Sequence, residues 1–92
     1  MTTLNESYAF VNSIIQGGEC NKFGYAQFVS NSDTKSAYTV TVKGVESKGT
    51  GNTEFQKVVS VPAGGRTYLG CSYIGTERPV EVSYTVIGES KE

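Results

Sequence analysis

Cys20 and Cys71 are the only cysteines in a chain of 92 residues that contains no histidine. Without an imidazole the commonest general base at neutral pH is missing, so neither a Ser-His-Asp nor a Cys-His arrangement can be assembled. Two thiols some 50 residues apart, with no CxxC spacing, supply only half of a tetrahedral zinc set. Asp33 is the sole aspartate, and the spacing of a calcium-binding loop is missing. No cofactor or metal is therefore expected. Glu46, Glu54, Glu77 and Glu81 fall in turns or on outward strand positions and read as solvating charges, not as a glycosidase pair. The chain reads as non-catalytic.

The two cysteines have no competing partners, which leaves two readings: a disulfide, or a pair of buried free thiols. Placed in different sheets or at neighbouring strand ends, they would pair across the core. A loop of that length would stabilise the fold by about 4 kcal/mol in the chain-entropy treatment. The side chains suited to recognition are Arg66, Tyr68 and Tyr73, which combine large apolar area with hydrogen-bonding groups. Arg66 and Tyr68 share one face of a strand, and Tyr73 follows directly after it. They make a candidate binding set for a protein or carbohydrate; the competing reading packs Tyr68 into a second core layer. Pairing along an open sheet edge would need no special side chain.

Two near-motifs carry no chemistry. GVESKGT at residues 44–50 has the glycine spacing of a phosphate loop, but its lysine precedes the second glycine. Asn5-Glu6-Ser7 satisfies the glycosylation sequon, which has meaning only in a eukaryotic secreted chain. Eight basic and nine acidic residues give a net charge of -1, with the basic residues scattered singly, so no nucleic-acid surface is expected. The start, MTTLNESYAF, has no basic region followed by an apolar one, and no segment reaches the length of a membrane span. Two compartments stay open on this reading: secreted or cell-surface if Met1 stands on a domain whose signal peptide was removed, otherwise cytoplasmic.

The elements that would position these residues are strands. Residues 36–45 (SAYTVTVKGV) set Tyr38, Val40 and Val42 against Thr39, Thr41 and Lys43. Residues 79–88 (PVEVSYTVIG) set Val80, Val82, Tyr84 and Val86 against Glu81, Ser83 and Thr85. A period of two sustained over such lengths predicts antiparallel sheets with one wet face. Residues 23–30 are apolar on both faces and read as a central strand. Residues 55–61 place Phe55, Val59 and Val61 beside the stem of Lys57, and residues 66–72 place Thr67, Leu69 and Cys71 opposite Arg66, Tyr68 and Gly70. Residues 8–15 (YAFVNSII) form a strand, a bulged strand or a helical turn. Turns are expected at residues 16–19 (QGGE), 31–35 (NSDTK), 46–53 (ESKGTGNT), 62–65 (PAGG) and 75–78 (GTER). Pro62 stops a strand, and Gly64 and Gly65 let the chain reverse. Residues 1–7, 46–53 and 89–92 are the expected flexible parts.

The sequence therefore predicts one all-β domain over residues 1–92, with six to seven strands in a sandwich or small barrel. From Tyr25 to Val61 the order of features resembles bacterial immunoglobulin-like modules of the cell-adhesion-related type. The shared features are an aromatic strand, NSDTK, AYTVTV, a polar loop and VSVPAGG. The resemblance implies an antiparallel immunoglobulin-like β-sandwich acting as an interaction or adhesion module. The alternative is a small intracellular regulator or inhibitor that blocks a larger protein by loop or edge contacts.

Overall fold

The computed structural model describes residues 10–49, 51–75 and 80–92. Its strands are β1 (Asn12–Glu19), β2 (Tyr25–Asn31), β3 (Tyr38–Ser47), β4 (Asn52–Val61), β5 (Arg66–Cys71), β6 (Tyr73–Ile74) and β7 (Val80–Lys91). They form two antiparallel sheets, one ordered β1-β2-β5 and the other β4-β3-β7-β6. No helix among the described residues is long and apolar enough to cross a membrane.

The period of two in the sequence becomes the core. Val40 and Val42 of β3, Val29 of β2, Val61 of β4 and Leu69 of β5 are buried between the sheets, with Tyr38 beside them, and Val82 of β7 is buried outside this cluster. Val11, Ile14, Val59, Tyr84 and Val86 are half-buried around this cluster. Gly44 of β3 pairs with Phe55 on one side and Tyr84 on the other. These two rings meet edge to face over it, with centroids 6.2 Å apart. A Cβ at Gly44 would fall inside the Phe55 ring. A glycine is needed here because aromatic side chains from both neighbouring strands close over the backbone.

Hydrogen bonds link the sheets along the β4/β5 side. Lys57 Nζ donates to Leu69 O at 2.7 Å, and Thr67 Oγ1 donates to Ser60 O at 2.7 Å. The inward lysine beside Phe55, Val59 and Val61 is thus satisfied by a carbonyl of the facing sheet. Buried Asn31 ties two turns together. Its Nδ2 donates to Ser36 O and Pro62 O, its Oδ1 accepts from Asp33 N, and its own N–H donates to Gly65 O. Asp33 then accepts from Lys35 N, Ser36 N and the Tyr38 hydroxyl. The Lys35 amide leads the interactions that hold its carboxyl below the ordinary value. The turn at Pro62 is as expected, with Gly65 N donating to Pro62 O and Gly64 at φ 65°. Only Gly64 of the pair uses positive φ.

Several expectations are corrected. QGGE is not a turn: it ends β1, where the register with β2 shifts between Gln16 and Glu19. Glycine tolerates a bulge as readily as a reversal, and the reversal comes later, where Cys20 N donates to Gly24 O. The described strand begins at Asn12, and the first part of the stretch 8–15 lies outside the described residues. Most of residues 46–53 is ladder, since Glu46 pairs with Thr53 and Ser47 with Asn52 around a bond from Lys48 N to Gly51 O. Residues 89–92 are bound too. Glu92 N donates to Ala37 O, and the Glu92 carboxylate accepts from Thr39 and Ser60. The expected flexible segment 1–7, with its sequon, and most of the turn at 75–78 lie outside the described residues.

Candidate functional site

Phe28 follows inward-facing Val29 in reverse, so alternation sends its ring to the outer face of the three-stranded sheet. Across the ladders it stands opposite Ile15 on β1 and Tyr68 on β5. The Phe28 and Tyr68 rings meet edge to face at 5.5 Å, and the Arg66 guanidinium lies 4.3 Å from the Phe28 centroid. Gly17 keeps the neighbouring strand low, because a Cβ there would strike the Phe28 ring. The sheet thus carries an outer layer built on one half-buried ring, with Tyr68 54% exposed beside it. Stacking holds the arginine side chain in place while its planar fork of N–H donors remains able to bind a carboxylate.

The second-layer reading of Tyr68 does not hold among the described residues, because its ring stands on the outside of the sandwich. Tyr73 is not part of this surface. It lies in β6 of the other sheet, half-buried, with its carbonyl accepting from Asn21 Nδ2 at 2.8 Å and its ring against Gly24. It braces the loop that carries Cys20. Phe28 is the member that the sequence reading did not single out. Its signal was present in the two-sided apolarity of residues 23–30, which was read as centrality alone.

Cys20 and Cys71 are joined, with Cα atoms 5.8 Å apart. The bond does not cross the core. It links the β1–β2 loop to the end of β5 within the three-stranded sheet, beside the start of β2, where Cys71 pairs with Ala26. Cys20 is exposed. The register shift between Gln27 and Phe28 falls between Gly70 and Tyr68 on β5, with Leu69 as the unpaired residue, so the simple alternation expected to seat Thr67, Leu69 and Cys71 on one face is interrupted. Lys22 lies over the exposed Phe23 ring at 5.2 Å on the same loop.

The other carboxylate of interest is Glu89, which pairs with inward-facing Val40 and therefore points between the sheets. It accepts from Val11 N, Asn12 N and Asn12 Nδ2 at 3.0 to 3.1 Å. Desolvation opposes its charge, but the Asn12 side chain and the two amides outweigh that and lower its pKa. The geometry is that of a clasp between the start of β1 and the end of β7. Burial pushes the Tyr84 hydroxyl above its ordinary value. Among the described residues no group of three His, Cys, Asp or Glu could hold a metal ion, and no pocket opens. Comparison with family models, with curated proteins and with solved structures finds no match to this chain.

Proposed function

We propose that this chain is an immunoglobulin-like β-sandwich that works as a non-catalytic interaction or adhesion module and binds a protein partner through the outer face of its three-stranded sheet. The observation that carries the reading is the Arg66–Phe28–Tyr68 cluster, in which a guanidinium and a tyrosine are exposed yet held by stacking. Such side chains lose little freedom on binding and dominate many interfaces. The sheet division supports the immunoglobulin-like assignment in one respect: the first, second and fifth strands share one layer, as they do in that fold. Asn31 supports it as well, since it joins NSDTK to VPAGG, two features that carried the resemblance. The Cys20–Cys71 bond favours an exported or surface module over a cytoplasmic regulator, because disulfides persist in oxidising compartments.

The test is parallel capture of surface-protein fractions and of a glycan array by the wild type and by an Arg66→Ala/Tyr68→Ala variant of equal thermal stability. Proteins retained by the wild type and lost by the variant are the expected result. Equal retention of every ligand by both would overturn the assignment of the face. Selective loss of glycans alone would transfer the site to carbohydrate.

A further inference from the structure

The outer face of the three-stranded sheet is laid out in two rows. The ladders place Ser30 between Ser13 and Arg66 in one row, and Phe28 between Ile15 and Tyr68 in the next. That these side chains point outward follows from their neighbours along each strand. Asn12 and Val29 are buried, Ile14 packs against the core, and Thr67 bonds to Ser60 O of the facing sheet. Alternation then turns the residues between and beside them to solvent. The first row is polar and ends in a guanidinium, while the second is apolar and ends in an exposed tyrosine. Of these side chains Arg66 alone carries a charge. It is exposed, and its guanidinium leans from its own row onto the next, 4.3 Å from the centroid of the Phe28 ring. The ring takes up one face of the guanidinium, and the N–H donors, which lie in the guanidinium plane, stay directed sideways. No pocket opens among the described residues, so the rows suit side chains of a macromolecule and not an enclosed small molecule.

We infer that the protein partner presents an aspartate or glutamate to Arg66, with an apolar side chain beside it on the Ile15–Phe28–Tyr68 row. This rests on the reading of the face as a contact surface and names the chemistry that the surface selects. A lone positive group among uncharged neighbours calls for a single negative one, and the planar fork matches the two oxygens of a carboxylate in a bidentate pair. Stacking on Phe28 holds the fork in advance, so less side-chain freedom is lost when the pair forms. The apolar row excludes water from one side of the pair, where a lower local dielectric strengthens it. A nucleic-acid backbone would need several such cations, and the rows offer one. An acidic sugar would bring a carboxylate but lay hydroxyls over the apolar row. The spacing adds a sequence preference. Arg66 and Tyr68 stand two positions apart on one face of β5, about 6.6 Å along the strand, and an extended partner shows its side chains at the same interval. An acidic residue followed or preceded two positions away by an apolar one engages both rows.

The test is an NMR titration of the full chain with a capped peptide, Ser-Glu-Thr-Leu-Ser, with the same peptide carrying Gln for Glu, and with glucuronate, following the Arg66 Nε–H and Tyr68 ring signals. The expected result is that both signals shift together and that the glutamate peptide saturates them at a concentration at least about ten-fold lower than the glutamine peptide. Arg66→Lys, checked for an unchanged amide spectrum away from this face, should shrink that difference, because an ammonium keeps the charge but not the fork. Equal saturation by the two peptides, an undiminished difference in Arg66→Lys, or an Arg66 signal that no peptide moves would overturn the inference. Glucuronate saturating at a lower concentration than the glutamate peptide would overturn it in favour of an acidic sugar. The broader reading is decided separately, by capture with the Arg66→Ala/Tyr68→Ala variant. If captured proteins are still lost from that variant, the face is a contact surface for a partner of other chemistry; if they are retained, both readings fall.

Discussion

The three-stranded and four-stranded sheets enclose one core but differ in how they are held and in what they show to solvent. In the four-stranded sheet β3 pairs with β4 without interruption from Tyr38 to Ser47, while the β3–β7 ladder has one register shift, between Thr41 and Val42. The sheet's outer face carries Thr39, Thr41, Lys43, Gln56, Ser60, Ser83 and Thr85, with Val45 and Val58 among them and Ile87 of β7 also exposed. In the three-stranded sheet both ladders contain register shifts, at Gln16/Glu19 and at Gln27/Phe28. It is tied by a disulfide and bears the stacked Arg66–Phe28–Tyr68 layer. The long regular β3–β4 ladder needs no covalent tie and no stacked layer over it, so its exposed side is free to be mostly polar. An interrupted ladder gains from a covalent tie and from side chains stacked over it. That difference makes the four-stranded sheet the scaffold and the three-stranded sheet the layer on which a contact surface is built.

The sharpest way to break the comparison is to remove the tie. A Cys20→Ser/Cys71→Ser variant should lose about 2 to 5 kcal/mol in denaturant unfolding, the usual range for a native disulfide in a small domain. Amides of β1, β2 and β5 should exchange faster well before those of β3 and β4. Uniform loosening of both sheets would show that the disulfide serves the whole sandwich and that the division of labour is wrong. Next in size is Gly44→Ala, which strikes the scaffold. The new methyl group must displace the Phe55 ring from its position against Tyr84, at a cost of about 1 to 3 kcal/mol. Here the Arg66–Phe28–Tyr68 surface should keep its partner affinity, read on the folded fraction.

How much of this was legible in the sequence depended on whether neighbours along the chain or across space decided a residue's role. Residues 36–45 and 79–88 were legible because one face meets the core and the other meets water, which writes a period of two into the chain. The turn at Pro62 was legible because proline and glycine act locally. QGGE was not, since the same glycines serve a reversal or a bulge, and the choice depends on Phe28 lying over Gly17 from another strand. Asn31, Lys57 and Glu89 are polar residues turned inward, and their hydrogen-bond partners lie up to 78 residues away. Of the contact set, Arg66 and Tyr68 were placed together by strand alternation. Tyr73 was grouped with them by sequence proximity alone, across a break between sheets.

A smaller effect separates the two sides of the sandwich by pH. Glu89 has a folded pKa below its unfolded one. Its contribution is therefore present above the unfolded carboxylate value, near 4.3, and is lost as pH falls through the folded value. Glu89→Gln should flatten the acid limb of the stability curve relative to wild type. Exchange in the acid range should rise first at the Val11 and Asn12 amides, with the Lys57 and Thr67 side unaffected. Simultaneous loosening of both sides would mean that the clasp does not act locally.

The smallest changes in stability come from surface substitutions, and a matched pair of them separates recognition from stability. Val58 is 67% exposed on the scaffold face and Tyr68 is 54% exposed on the other, so exposure alone does not distinguish them. Val58→Ala removes an exposed side chain opposite Thr41 and should shift stability by no more than about 0.5 kcal/mol. Tyr68→Ala also removes the edge contact with Phe28, for about 0.5 to 1.5 kcal/mol. Only Tyr68→Ala should release a partner captured by the wild type. If Val58→Ala released it as well, the contact surface would span both sheets, and the stacking over Phe28 would be a support for the interrupted ladder and nothing more.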